Sequence, residues 1–210
     1  CLPFRSRLSS SSSLNKNKNK NREQQLRTMA TTKPDYQSAD FQLEYAPIAK
    51  QLLPEGPWRV IPNAGVTAPE GFKVSAFKAG LRKSGTRADC ALIVADEASS
   101  CAGVFTLNNV CAAPVMFCKK QLEAKQTSRA ILINAGQANA ATGILGDEDA
   151  MTCAKAVSDA TGCDPSDVLL MSTGVIGRRI KMDKFVPAIK TLGENLERSD
   201  TASMAAATSI

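Results

Sequence analysis

Two short apolar runs, each stopped by glycine, constrain this chain more than any other feature. The first is SRAILINAG, Ser128–Gly136; the second is Val168-Leu169-Leu170-Met171, broken off by Ser172-Thr173-Gly174. The first run is of the kind presented by a strand buried on both faces. Between the two lies a predicted helix. Asp147, Glu148 and Asp149 crowd its start, where negative charge meets the positive helix end. Ala150, Ala154 and Val157 recur at helical spacing, and Gly162 closes it. A further helix is predicted from Asp183 as N-cap, with Pro187 in its first turn and Phe185, Ile189, Leu192 and Leu196 as its apolar stripe.

Upstream, DCALIVADE (Asp89–Glu97) predicts a strand. WRVIPNAGVTAPEGFKVSAFKAGLR alternates short apolar pieces with Gly and Pro, as turns between strands do. CAGVFTLNNV and AAPVMFCKK predict two more strands, joined by a turn at Asn108-Asn109. The order is strands, helix, strand, helix. That pattern predicts a mixed α/β or layered α+β domain with both helices on one face of a sheet. It begins near Tyr45, and about 160 residues suffice for a real core.

The 210 residues carry a net charge of +6, and the excess is local. Eight of the 26 basic residues lie in residues 1–33 against one acid, Glu23, which leaves 18 bases and 19 acids elsewhere. No basic face therefore remains on the folded part to argue for nucleic acid. Residues 1–33, rich in Ser, Arg and Lys, read as a disordered leader of transit-peptide type, 34–44 as a linker and 45–210 as the folded unit. Met29 as the true start is the alternative reading of the leader. No secretory apolar stretch and no run of membrane-spanning length is present. Seven cysteines without a C-x-x-C pair predict buried free thiols in a reducing compartment. Histidine is absent, which removes the commonest general base and the commonest metal ligand. The chain starts at Cys1 rather than Met and stops at SMAAATSI, and the expectation is a fragment of a longer protein.

Where the second run ends, Thr173 and Gly174 invite two readings. Glycine permits unusual backbone angles and close approach, and two converging N–H groups, with a threonine hydroxyl as a third donor, make an oxyanion hole. A tight turn leading to the next helix explains the same letters. In INAGQANAATG (Ile133–Gly143), Asn134, Gln137 and Asn139 either fix a ligand or cap the loop. RKSGTRADC (Arg82–Cys90) lacks the spacing and ending of a phosphate loop.

Four segments, in order, carry a resemblance: AGVTAPEGF (Ala64–Phe72), AGVFTLNNVCAAPV (Ala102–Val115), AILINAGQANAATG (Ala130–Gly143) and STGVIGRRIKMDK (Ser172–Lys184). The chain resembles the ornithine acetyltransferase/glutamate N-acetyltransferase family of arginine biosynthesis, the ArgJ family. It departs from the family at Gln137, where Asn is usual, and at Ala141, where Cys is frequent. The resemblance implies a sheet-and-helix sandwich of the ArgJ/DmpA-like type. It implies a precursor that cleaves itself at an Ala-Thr bond, whose new N-terminal threonine carries acetyl from N-acetylornithine to glutamate. Some members also accept acetyl-CoA; no other cofactor and no metal is implied. The family's oxyanion donors fall on Thr173 and Gly174. An N-terminal threonine uses its own α-amine as base, so the missing histidine fits. The family assembles from two α and two β chains.

The self-cleavage motif is expected beyond Ile210; Ala207-Thr208-Ser209 lacks its glycine-rich lead-in and lies at a predicted helix end. The chain by itself is thus expected to hold the oxyanion half without the nucleophile and to be inactive. The leader points to the chloroplast, with the mitochondrion as alternative. Other readings are an N-terminal-nucleophile amidase or aminopeptidase of similar fold, and a non-catalytic binding protein. Nucleic-acid binding through the leader would be strongly salt-dependent and lost without residues 1–33.

Overall fold

The computed structural model describes residues 61, 64–83 and 86–210. The predicted leader and linker, and the first stretch of the folded unit through Val60, lie outside the described residues. Four strands form one sheet in chain order: β1 (Phe72–Phe77), β2 (Cys90–Ser100), β3 (Thr127–Gln137) and β4 (Val168–Val175). β1, β2 and β3 pair antiparallel, while β3 and β4 run parallel. A parallel neighbour needs a crossover, and helix α2 (Gly143–Thr161) supplies it, followed by a short 3-10 turn, Pro165–Asp167.

Strand periodicity sorts the side chains to two faces. The row Leu92–Leu132–Leu170 meets α1 (Ala113–Ala124), α2 and α3 (Met182–Glu194), and forms the main core with Val157, Phe185, Ile189 and Leu192. Each such side chain contributes roughly 1.5–3 kcal/mol on burial. The opposite face, with Val74, Ala91 and Ile133, meets one short helix, α4 (Asp200–Ala207), through Ala202 and Ala206. Ser199 caps α4 by accepting the Ala202 N–H.

The mixed α/β sandwich and the strands at Asp89–Glu97 and Ser128–Gly136 agree with the sequence. Four expectations are corrected. The segment AAPVMFCKK is not a strand but the start of α1: Pro114 sits in the opening positions, where its missing N–H costs nothing. Residues 101–110 form no strand either, and the turn at Asn108 is real but local, with its side chain accepting the Val110 N–H. α2 begins at Gly143, before the acids, because Asn139 (φ 46°) and Ala141 (φ 54°) turn the chain sharply after β3. No acid lies in its first turn, and Asp149 faces inward. α3 is entered at Lys181 rather than Asp183, which falls in the first turn, and Pro187 lies inside the helix. The Pro187 ring has no N–H for the Asp183 carbonyl; the buried stripe Phe185, Ala188, Ile189 and Leu192 holds the helix regardless. The two predicted helices, α2 and α3, do share one face of the sheet, together with α1, and among the described residues α4 covers the other.

Candidate active site

The ends of β3 and β4 place Gly136 opposite Gly174 in register. Both have positive φ, +132° and +125°, a region that side chains avoid. A Cβ on Gly174 would run into the Gly136 carbonyl group, and one on Gly136 would come within 2.9 Å of the Leu81 carbonyl carbon. Three backbone segments thus stack with no side chain between them. The rearmost is fixed by Asp89, whose buried carboxylate accepts the N–H groups of Ala79 (2.7 Å), Leu81 (2.6 Å) and Arg82 (3.1 Å). Of these amides Arg82 opens the Arg82–Cys90 segment that fails as a phosphate loop, Ala79 and Leu81 precede it, and the protein's own carboxylate occupies all three.

β4 is the outer strand among the described residues. The phase of its ladder is set at both ends. The Ala138 N–H donates to the Val175 carbonyl at 3.0 Å. Leu170 turns away from β3, its N–H donating to Cys118 Sγ and its carbonyl accepting from the Cys118 thiol, each at 3.3 Å. Alternation along the strand then directs Thr173 N–H into the ladder and Gly174 N–H out of the open edge. Among the described residues, Gly174 N–H has no partner outside the ladder. The Thr173 hydroxyl makes one long contact, 3.5 Å, to the Asn134 carbonyl. Of the donors suggested by the sequence, one amide and one hydroxyl are therefore available, while the Thr173 amide is not. Thr173 and Gly174 are both exposed.

The three amide side chains bind their own fold. Asn134 donates to the Gln137 carbonyl (2.9 Å), Gln137 to the Leu81 carbonyl (2.8 Å) and Asn139 to the Gly146 carbonyl (2.9 Å). Their roles are loop-capping roles. A small hollow beside Ser172, lined by Pro114, Asn134, Asn139 and Ile180, has room for about one water, too little for an acetylated amino acid.

Two groups near the site were not legible in the sequence. Arg179 grips Asp149 through two bonds, Nε to Oδ2 at 2.7 Å and Nη2 to Oδ1 at 2.8 Å, and Asp149 lies buried in α2. This partner holds Arg179 still more firmly protonated than an ordinary guanidinium. Lys181 Nζ donates to the Gly80 and Leu81 carbonyls, both at 2.8 Å. Neither contact has a local signal, since the partners are 30 and about 100 residues apart. All six cysteines among the described residues are free. Burial pushes the Cys90 and Cys153 thiols up to about 12, with nearby Asp89 and Asp149 adding to the effect. No group of three His, Cys, Asp or Glu among the described residues is placed to hold a metal, and none of their helices is long and apolar enough to cross a membrane.

The ArgJ family pattern matches residues 73–210, which takes in three of the four segments quoted above. The chloroplastic arginine biosynthesis bifunctional protein ArgJ of Ostreococcus lucimarinus is 59% identical over 183 residues, 87% of this chain and 40% of that protein. Its counterpart in Ricinus communis is 48% identical over 166 residues, 79% of this chain and 35% of that protein. The chain thus spans about a third to two fifths of the length of the curated relatives it matches. Among solved structures, ornithine acetyltransferase from Mycobacterium tuberculosis, complexed with ornithine, superposes with a TM-score of 0.69 at 35% identity, covering 72% of this chain and 81% of that one. The ArgJ protein of Bacillus halodurans gives 0.67 at 30% identity, covering 71% and 76%. The relatives' names place them in the chloroplast, and the expected chloroplast location is borne out.

Proposed function

The chain belongs to the ArgJ family, and from that premise we propose that it supplies the oxyanion-stabilising half of an acetyltransferase of arginine biosynthesis. The N-terminal threonine of a self-derived companion chain attacks the acetyl carbonyl of N-acetylornithine, its α-amine taking the hydroxyl proton. Negative charge develops on the carbonyl oxygen. Gly174 N–H and the Thr173 hydroxyl stabilise it. Ornithine leaves, and the glutamate amine then takes the acetyl group from the threonine. Acetyl-CoA is a further acetyl donor in this reading, and the assembly is two α with two β chains.

The observation that carries the reading is the outward Gly174 N–H on an open strand edge, backed by stacked main chain. A donor fixed in this way needs no reorganisation as charge develops, and one such donor is worth about 10²–10³ in turnover. Incubating the full-length protein with N-acetylornithine and no glutamate should leave one acetyl group on a threonine, seen by intact mass and peptide mapping, and ping-pong kinetics should follow when glutamate is added. The 210 residues alone should give neither. Sequential kinetics with no acetyl-enzyme, or transfer by the 210-residue chain alone, would remove the reading.

A further inference from the structure

The connection between β4 and α3 runs from Ile176 to Lys181, immediately after the outward amide. It is flexible in principle. Gly174 takes positive φ, so the peptide between Thr173 and Gly174 can rotate at small cost unless its surroundings forbid it, and Gly177 gives the connection itself a second such point. On the strand side, the ladder with β3 restrains it. On the far side, Gly177 N–H donates to the Ala140 carbonyl at 2.8 Å. Beyond that point Ile180 is buried in the core, and two further side chains tie the main chain down in different directions. Arg179 reaches the buried Asp149 carboxylate in α2 with a bidentate grip. Lys181 reaches the loop after β1, donating to the Gly80 and Leu81 carbonyls. That loop is the rear layer of the stack, since Gly136 packs against the Leu81 backbone and Gly174 against Gly136.

We propose that Arg179 and Lys181 are positioning residues that clamp the β4–α3 connection to α2 and to the Gly80–Leu81 backbone, and so keep the Gly174 amide turned out of the ladder. Neither side chain bonds to Thr173 or Gly174, so both act through the main chain. The two anchors are chemically unequal. The Arg179 fork matches a carboxylate in a way that lysine cannot, and a lysine there would leave part of the buried Asp149 unsatisfied. Lys181 meets two neutral carbonyls, which any flexible ammonium can do. The clamp also closes a circuit: Asp89 holds Leu81, Leu81 accepts from Lys181, and Lys181 enters α3. A shift at any point reaches the amide through the main chain.

The inference rests on the oxyanion reading above, and the test separates the two. In the full-length protein, Arg179→Lys and Lys181→Met are each compared with wild type, alone and combined with Thr173→Ala; circular dichroism and thermal unfolding confirm folding. A misaligned donor acts only in the transition state, so each clamp variant should lower kcat about ten- to a hundredfold while KM stays within about twofold. Combined with Thr173→Ala, the loss should be well short of the product of the single losses, as for groups that act as a unit. Unchanged kcat in both clamp variants, or losses that multiply in the double variants, would overturn the clamp and leave the oxyanion reading intact. If Thr173→Ala itself keeps wild-type kcat, the oxyanion reading falls and the clamp with it.

Discussion

β4 is one strand with two unlike halves. From Val168 to Leu170 it is core: Val168 and Leu170 are buried, and Cys118 seals the strand edge by engaging both main-chain groups of Leu170. From Met171 to Val175 it opens. Met171 is 50% exposed and Val175 51%, and the outward main chain meets no such seal among the described residues. The change takes place within one residue of Leu170, with no break in the ladder. Packing density fixes the first half, whereas backbone geometry, through a glycine opposite a glycine, fixes the second. A strand can thus be anchored in a core while it delivers a preorganised amide at its far end.

The largest expected effect breaks the second half. Gly174→Ala places a Cβ against the Gly136 carbonyl and forces alanine to φ +125°. The full-length protein should lose at least about 10²-fold in turnover, as when an oxyanion donor is displaced, and about 1–3 kcal/mol of stability from backbone strain. Acetyl-transfer kinetics and urea unfolding check the two numbers. Next comes the first half. Leu170→Ala should cost about 2–5 kcal/mol in urea unfolding, as a cavity in a packed core does, with kcat per folded molecule kept within about twofold. A large kcat loss at Leu170, or none at Gly174, would erase the division of the strand. The smallest effect sharpens the contrast between sealed and open regions. Only thiolate reacts with a disulfide reagent, so of the six described cysteines the half-buried Cys101 and Cys111 should label first at pH 8. Cys90 and Cys153, held near 12, should stay silent until the protein unfolds or the pH approaches that value. Fast labelling of Cys153 in the folded protein would mean that the three-helix face is less closed than described.

The sequence makes the first half of β4 legible and only hints at the second. Apolar runs such as Leu169-Leu170 and Ile131-Leu132-Ile133 announce strands because burial on both faces demands them. The stripe Phe185, Ile189, Leu192 announces α3 for the same reason. AAPVMFCKK misleads because a short apolar run fits strand and helix alike; its proline and its packing against β4 decide for the helix. The start of α2 hides because, although Asn139 is a residue type that tolerates the left-handed region, nothing in Ala141 shows that it turns the same way. Glycine at 174 suggests closeness without saying to what. Its partner, Gly136, is visible only once the register is known, and the same holds for Arg179 with Asp149, an acid whose place in the sequence suggests the helix start.

The account stands or falls on where an acyl oxygen sits. A crystal structure of the full-length protein trapped as its acetyl-enzyme measures that directly. The account predicts the acetyl carbonyl oxygen 2.7–3.1 Å from Gly174 N, the range for an oxyanion donor, with the Thr173 hydroxyl turned toward the same atom. An acetyl oxygen held by other groups, with Gly174 N–H paired to main chain, would contradict it.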